Sequence, residues 1–214
     1  MNLDTGDTRL ILSVCKANGL LRNQAAYVLA TVYHESAHTM KPVRETLASS
    51  DAQAISRLEN AWKKGQLSWV KTPYWREGFF GRGYVQLTHK TNYEKASKRL
   101  GVDFVSNPSL VMKPDYAARI LVLGMAAGWF TGKKLSDYIT LSKSDFTNAR
   151  RIVNGTDRAS LIAGYAKTYD QLLKAEGYGE TTITQSPADD VQEYSPIQKL
   201  ITAIINAISS IFRR

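Results

Sequence analysis

Between Asn23 and Ala37 the apolar residues Ala25, Ala26, Leu29, Val32 and Tyr33 recur at three- and four-residue spacings, with no proline or glycine among them. That is the helical period, and it predicts a helix over 23–37 with an apolar face turned to a core. Lys41-Pro42 then ends it, because the pyrrolidine ring disfavours helical geometry in the residue before it. The same period predicts helices over Asn92–Leu100, with Gly101 as the terminating residue, and over Pro114–Phe130, Phe146–Val153 and Ala159–Lys174, the last two flanking an Asn154-Gly155 turn;. Gly65–Thr88 is rich in glycine and aromatics and has no clean period, so it reads as loop with short strand-like pieces. Strands and helices do not alternate, which argues against a nucleotide-binding sheet. The expected fold class is mainly α.

Cys15 is the sole cysteine of the 214 residues, so an intrachain disulfide and a thiolate zinc cluster are both excluded and the fold rests on its core;. Twenty-eight Lys and Arg against nineteen Asp and Glu leave a net charge of +9, which calls for an anionic partner: nucleic acid, acidic lipid or acidic wall polymer;. Nucleic acid is set aside, since the basic residues are scattered and form no helix-turn-helix, zinc finger or basic zipper. The start, Met1-Asn-Leu-Asp-Thr-Gly-Asp, lacks a basic n-region and apolar run, so synthesis in a cytoplasm without autonomous export is expected;. The apolar stretches 120–132 and 200–212 fall short of the roughly 20 residues that span a bilayer.

The chain divides by composition into a domain over 1–175, a flexible linker over 176–195 rich in Gly, Thr, Ser, Pro and acids, and a tail over 196–214;. In the tail Ile197, Leu200, Ile201, Ile204, Ile205, Ile208 and Ile211 make the stripe of a C-terminal amphipathic helix, finished by Arg213-Arg214. Such a stripe either lies in a membrane or lipopolysaccharide interface or packs on protein.

Two constellations share Glu35. His34-Glu35-Ser36-Ala37-His38 matches the zincin pattern, in which two imidazoles one helical turn apart hold zinc and the glutamate activates its water, with Glu59 a conceivable third ligand. Alternatively Glu35 pairs with Glu45 across a cleft. Hydrolysis of a glycosidic bond needs one carboxylic acid to protonate the leaving oxygen and a second carboxylate to activate water or attack the sugar.

Phe80-Gly81-Arg82-Gly83-Tyr84-Val85-Gln86-Leu87-Thr88-His89-Lys90-Thr91-Asn92-Tyr93 resembles the G-R-G-x-x-Q-L-T/S-x-x-x-N-Y signature of the family 19 chitinases and the related bacteriophage endolysins. His34-Glu35-Ser36 is similar to that family's H-E-T/S element, and Glu45 sits where the endolysin branch places its second carboxylate. Asn107-Pro108, Ala117-Ala118, Trp129-Phe130 and Ile152-Val153-Asn154-Gly155 follow in the family's order, so the resemblance covers residues 20–174. It implies a lysozyme-like helical domain whose loop and short-strand insertion lines a cleft. Thr156 stands where plant members usually have a second glycine, and the single cysteine excludes their disulfides; both point to the endolysin branch. Ala37 and His38 replace the glycines that follow the H-E-T/S element in many relatives.

The resemblance implies an inverting muramidase that acts on bacterial peptidoglycan without a metal or other cofactor. Glu35 is then the general acid, Glu45 the general base, and Thr88 a holder of the attacking water. It also implies that Gln86, Asn92 and Asn154 bind sugar groups, Tyr93 forms cleft wall, and Arg82 contacts substrate or orients a carboxylate. His34 and His89 are expected to be hydrogen-bonded scaffold. Trp62, Trp69, Trp75, Tyr74 and Trp129 are expected to pack in the core, although a Trp exposed in the irregular segment can stack on sugar. The endolysin branch further implies release from the host cytoplasm to the periplasmic wall through a holin pore. Chitinase, zinc peptidase and non-catalytic wall-binding module remain the competing readings.

Overall fold

The computed structural model describes residues 1–179. The tail over 196–214 and most of the linker over 176–195 lie outside the described residues.

Helix α1 (Thr8–Ala17) buries Ile11, Leu12 and Cys15 and touches α2 (Arg22–Glu35), the axis of the fold. All residues from Ala25 to Val32 on α2 are buried, around its circumference rather than along one stripe;. The periodic residues named above are therefore one side of a helix packed on every side, with α7 (Ala159–Ala175) running along it and α5 (Pro114–Ala127) on another flank. Packing continues beyond α7, where Tyr178 is buried and its hydroxyl donates to the Leu20 carbonyl.

Between α2 and α5 the chain builds a second layer. The strands β1 (Val43–Arg44) and β2 (Arg82–Gly83) pair antiparallel, Val43 opposite Gly83 and Arg44 opposite Arg82. Helix α3 (Asp51–Lys63) lies between them in sequence and is N-capped by Ser50, whose hydroxyl accepts from the Gln53 N–H at 3.2 Å;. After β2 comes α4 (Lys90–Leu100), terminated as expected by a left-handed Gly101. Near the end, α6 (Leu135–Tyr138) is one short turn.

Two apolar clusters set the position of the loop before β2. Phe79 packs with Leu87, Tyr93, Phe104 and Ile120, while its neighbour Phe80 packs with Ala48, Ala54, Leu58 and Trp75. Burying one phenylalanine stabilises by about 1.5–3 kcal/mol, so two anchored in different clusters pin the chain just before Gly81.

The outcome differs from the sequence reading at several ends. Helix α2 stops at Glu35 rather than Ala37, and α5 stops at Ala127, before a left-handed Gly128. Residues 148–152 form only a 3-10 turn, whose start is tied by the Asp145 carboxylate to the Asn148 N–H. Helices α1 and α3 are additions that the periodicity argument did not assign.

Candidate active site

Glu45 follows β1 directly, and its carboxylate is held at both oxygens. Oε1 accepts from the Tyr74 hydroxyl at 2.6 Å, and Oε2 accepts from the Gly81 N–H at 2.7 Å. The Glu45 N–H in turn donates to the Gly81 carbonyl at 2.7 Å, which extends the β1–β2 pairing by one residue. Burial, then the bond to Glu45, holds the Tyr74 phenol well above its ordinary value, so this hydroxyl remains a donor across the working pH range;.

A side chain at Gly81 would displace its neighbours. A Cβ would lie 2.7 Å from Gln86 Oε1 and 3.2 Å from Thr88 Oγ1, so both side chains crowd the amide that holds Glu45. Gln86 donates to the Val43 carbonyl at 2.9 Å, and the Thr88 hydroxyl donates to the Gln86 carbonyl at 2.7 Å. Asn92 donates to the Thr88 carbonyl at 2.8 Å. Glu45, Gln86, Thr88 and Asn92 therefore form one group around Gly81, in which both side-chain amide nitrogens are engaged with backbone carbonyls.

Glu35 forms a second group. As the last residue of α2, it accepts from Arg150 Nη1 at 2.7 Å. The Arg150 side chain is only 3% exposed, against 21% for Glu35, and its Nε donates to the Asp157 carbonyl. Asn154 is tied to this group by its N–H, which donates to the Arg150 carbonyl, and its side chain lies on the surface. Beside Glu35, burial holds the His34 imidazole below its ordinary value against the opposing charge of Glu35, so His34 favours the neutral ring.

Arg82 and Tyr93 do not line a cleft. Arg82 is 2% exposed; it donates to Asp51 Oδ2 and Gly78 O at 2.7 Å each and to the Tyr93 hydroxyl at 2.9 Å, and stacks over Phe80. Tyr93 is fully buried and donates to the Phe80 carbonyl. Asp51 also accepts from Arg44, the neighbour of Glu45, so this network braces β1 and β2 from behind. Burial works to raise the Asp51 carboxyl, but the bonds from Arg82 and Arg44 outweigh it and leave it below the ordinary carboxylate value.

The zincin geometry fails as well. His38 lies beyond the helix, at φ +69°, and stacks on Tyr33 with ring centroids 4.2 Å apart. Glu59 accepts from Arg76 and from the Trp75 indole N–H. Among the described residues no three His, Cys, Asp or Glu side chains are grouped to hold a metal ion.

The sequence offers no signal for Arg150 or the Gly81 amide, and Tyr74, expected to pack in the core, instead donates to Glu45. Trp69, also expected to pack in the core, is 73% exposed and borders a groove with Glu45, Lys71, Tyr74 and His89. Trp75 is fully buried, and Trp62 donates its indole N–H to the Val70 carbonyl, holding the loop that carries Trp69.

Residues 56–134 match the chitinase class I model of glycoside hydrolase family 19. This span contains Gly81, Gln86, Thr88 and Asn92; Glu35, Glu45 and Asn154 lie outside it. The chain is 31% identical to chitinase 11 of Oryza sativa subsp. japonica over 48% of each protein. A shorter segment is 53% identical to the acidic 27 kDa endochitinase of Solanum lycopersicum, over 16% of this chain and 14% of that one. The chain thus spans at most about half the length of these curated relatives. Among solved structures, chitinase C from Streptomyces griseus HUT6037 superposes with a TM-score of 0.51 at 20% identity, covering 72% of this chain and 60% of that one. That similarity shows the fold: mainly helical and lysozyme-like, as in the family 19 chitinases.

Proposed function

We propose that this protein is a peptidoglycan hydrolase that cleaves β-1,4 glycosidic bonds by inverting acid/base catalysis, with Glu35 as general acid and Glu45 as general base. The observation that carries this reading is the seating of Glu45. Tyr74 and Gly81 each supply one donor to its oxygens, which orients the carboxylate beside the groove and leaves further lone pairs to draw a proton from water;. Thr88 spends its own proton on the Gln86 carbonyl, so its oxygen is left as an acceptor for the same water. Glu35 is held separately on Arg150, as expected of a residue acting from the other side of the bond. Gln86 and Asn92 shape the loop, and Asn154, exposed beside the Glu35 group, contacts sugar.

The wall polymer is favoured as substrate by charge. The chain carries +9 overall, and Lys71 borders the groove, which suits a glycan bearing carboxylates;. Chitin is the second reading, supported by the names of the relatives. In the cell the protein acts as an endolysin, made in the host cytoplasm and released to the periplasmic wall, with residues 196–214 contacting membrane or lipopolysaccharide.

The test is to incubate the purified protein with peptidoglycan and with colloidal chitin. Expected are new reducing ends from peptidoglycan, with the α-anomer appearing first by proton NMR, and a loss of at least about a hundredfold in Glu35→Gln and in Glu45→Gln. Sugar release from chitin alone overturns the substrate, a first-formed β-anomer overturns the mechanism, and new amino termini or an active Glu35→Gln overturns the enzyme class. Deletion of 196–214 should abolish liposome leakage and leave glycan hydrolysis unchanged; a lower melting temperature with leakage intact assigns the tail to packing.

A further inference from the structure

The turn between the two carboxylates holds an unfavourable backbone. Ala37, His38 and Met40 have φ of +49°, +69° and +54°, and none is glycine. Such a turn persists only where surrounding contacts over-determine it. Some of these contacts are internal: Ser36 Oγ accepts from the Met40 N–H, and Met40 is fully buried with its sulfur accepting from the Tyr169 hydroxyl.

The other contacts come from the segment ahead of α1. The Asp7 N–H donates to the Met40 carbonyl at 2.9 Å. Gly6 lies flat on the turn, and a Cβ there would sit 2.3 Å from the Thr39 carbonyl oxygen and 2.8 Å from that of Met40. Asp7 holds the N-cap position of α1, where its carboxylate would ordinarily accept from the helix amides, yet it makes no such bond;. Instead Oδ2 accepts from the Tyr84 hydroxyl at 2.7 Å. Tyr84 is fully buried and follows Gly83, the partner of Val43 across β1–β2. Asp7 thus touches the turn that leaves Glu35 with its backbone and the strand pair that delivers Glu45 with its side chain.

We infer that Asp7 is a positioning residue which, clamped between Met40 and Tyr84, sets the placement of Glu45 relative to Glu35. The N-terminal segment is then part of the catalytic apparatus although it touches no substrate. This rests on the function proposed above for the two glutamates.

The test compares Asp7→Ala, Asp7→Asn and Tyr84→Phe in the full chain, with Glu35→Gln alongside. Asp7→Asn keeps an oxygen that accepts from Tyr84, whereas the other two lose the bond. Expected are a kcat lower by about ten- to a hundredfold in Asp7→Ala and Tyr84→Phe with KM within about twofold, recovery of most of kcat in Asp7→Asn, and faster amide exchange over 36–45 with α7 unaffected. Unchanged exchange overturns the clamp. Faster exchange with unchanged kcat overturns its positioning role, as does a rate loss that matches the unfolded fraction seen by circular dichroism at the assay temperature. An active Glu35→Gln overturns the proposed function instead, and amide exchange alone then decides the clamp.

Discussion

Arg150 and Glu35 meet at 2.7 Å although 115 residues separate them, and the guanidinium of this pair is the more deeply buried partner. Deleting the carboxylate strands a buried cation, whereas replacing it with an amide keeps an acceptor. Glu35→Leu should therefore cost about 1–3 kcal/mol of stability, and Glu35→Gln under about 1 kcal/mol. Urea unfolding of the two variants checks this; equal losses would mean that Arg150 finds another acceptor.

Gly81 holds Glu45, and a side chain there must push its neighbours aside. Gly81→Ala drives a methyl group against Gln86 Oε1, and the ends of Gln86 and Thr88 must yield. The expected cost is about 1–3 kcal/mol, with activity falling more than the folded fraction does. Activity that only tracks the folded fraction would detach these side chains from the reaction.

Acid stability should report on Glu59. The Arg76 guanidinium, followed by the Trp75 indole N–H, holds its carboxyl down at about 2, from an ordinary 4.5. A carboxyl depressed on folding contributes stability that is fully present above about 4.5 and is lost as pH falls towards 2. The gap in melting temperature between the wild type and Glu59→Gln should thus be constant above pH 5 and shrink between pH 4.5 and 2. A gap that persists at pH 2 contradicts the pairing.

Cys15 is fully buried on α1, and burial pushes its thiol up to about 12. Alkylation at pH 8 should be negligible in the folded protein and rapid in denaturant, as read by mass spectrometry. Modification at equal rates in both would place α1 in an opened state.

The fold was legible wherever local chemistry suffices. The cores of α2, α4, α5 and α7 follow from apolar period, and the end of α4 from Gly101, whereas α2 and α5 stop at Glu35 and Ala127, short of the ends that the period suggests. Helix α3 escaped the periodicity argument because only Ala54 and Leu58 are buried on it, too few to make a stripe. The H-E-x-x-H string misleads for a related reason. Its spacing has meaning only on a helix, and the bond from the Met40 N–H to Ser36 Oγ belongs to a turn already left-handed at Ala37.

Within the site, residue types and order pointed to Glu35, Glu45 and the Gly81–Tyr93 segment. Which of those side chains face solvent was settled by packing. Arg82 and Tyr93 lie among the strongest motif positions, yet both are buried, because a cation between β2 and α3 is tolerated only with Asp51 and the Tyr93 hydroxyl as partners;. Tyr74 on Glu45, Arg150 on Glu35 and Asp7 on Tyr84 join positions 29, 115 and 77 residues apart. A short-range pattern encodes which segments coil and where they stop, since each helix bond closes over four residues. Pairings of this length exist only once whole helices and clusters have packed, so no local spacing announces them.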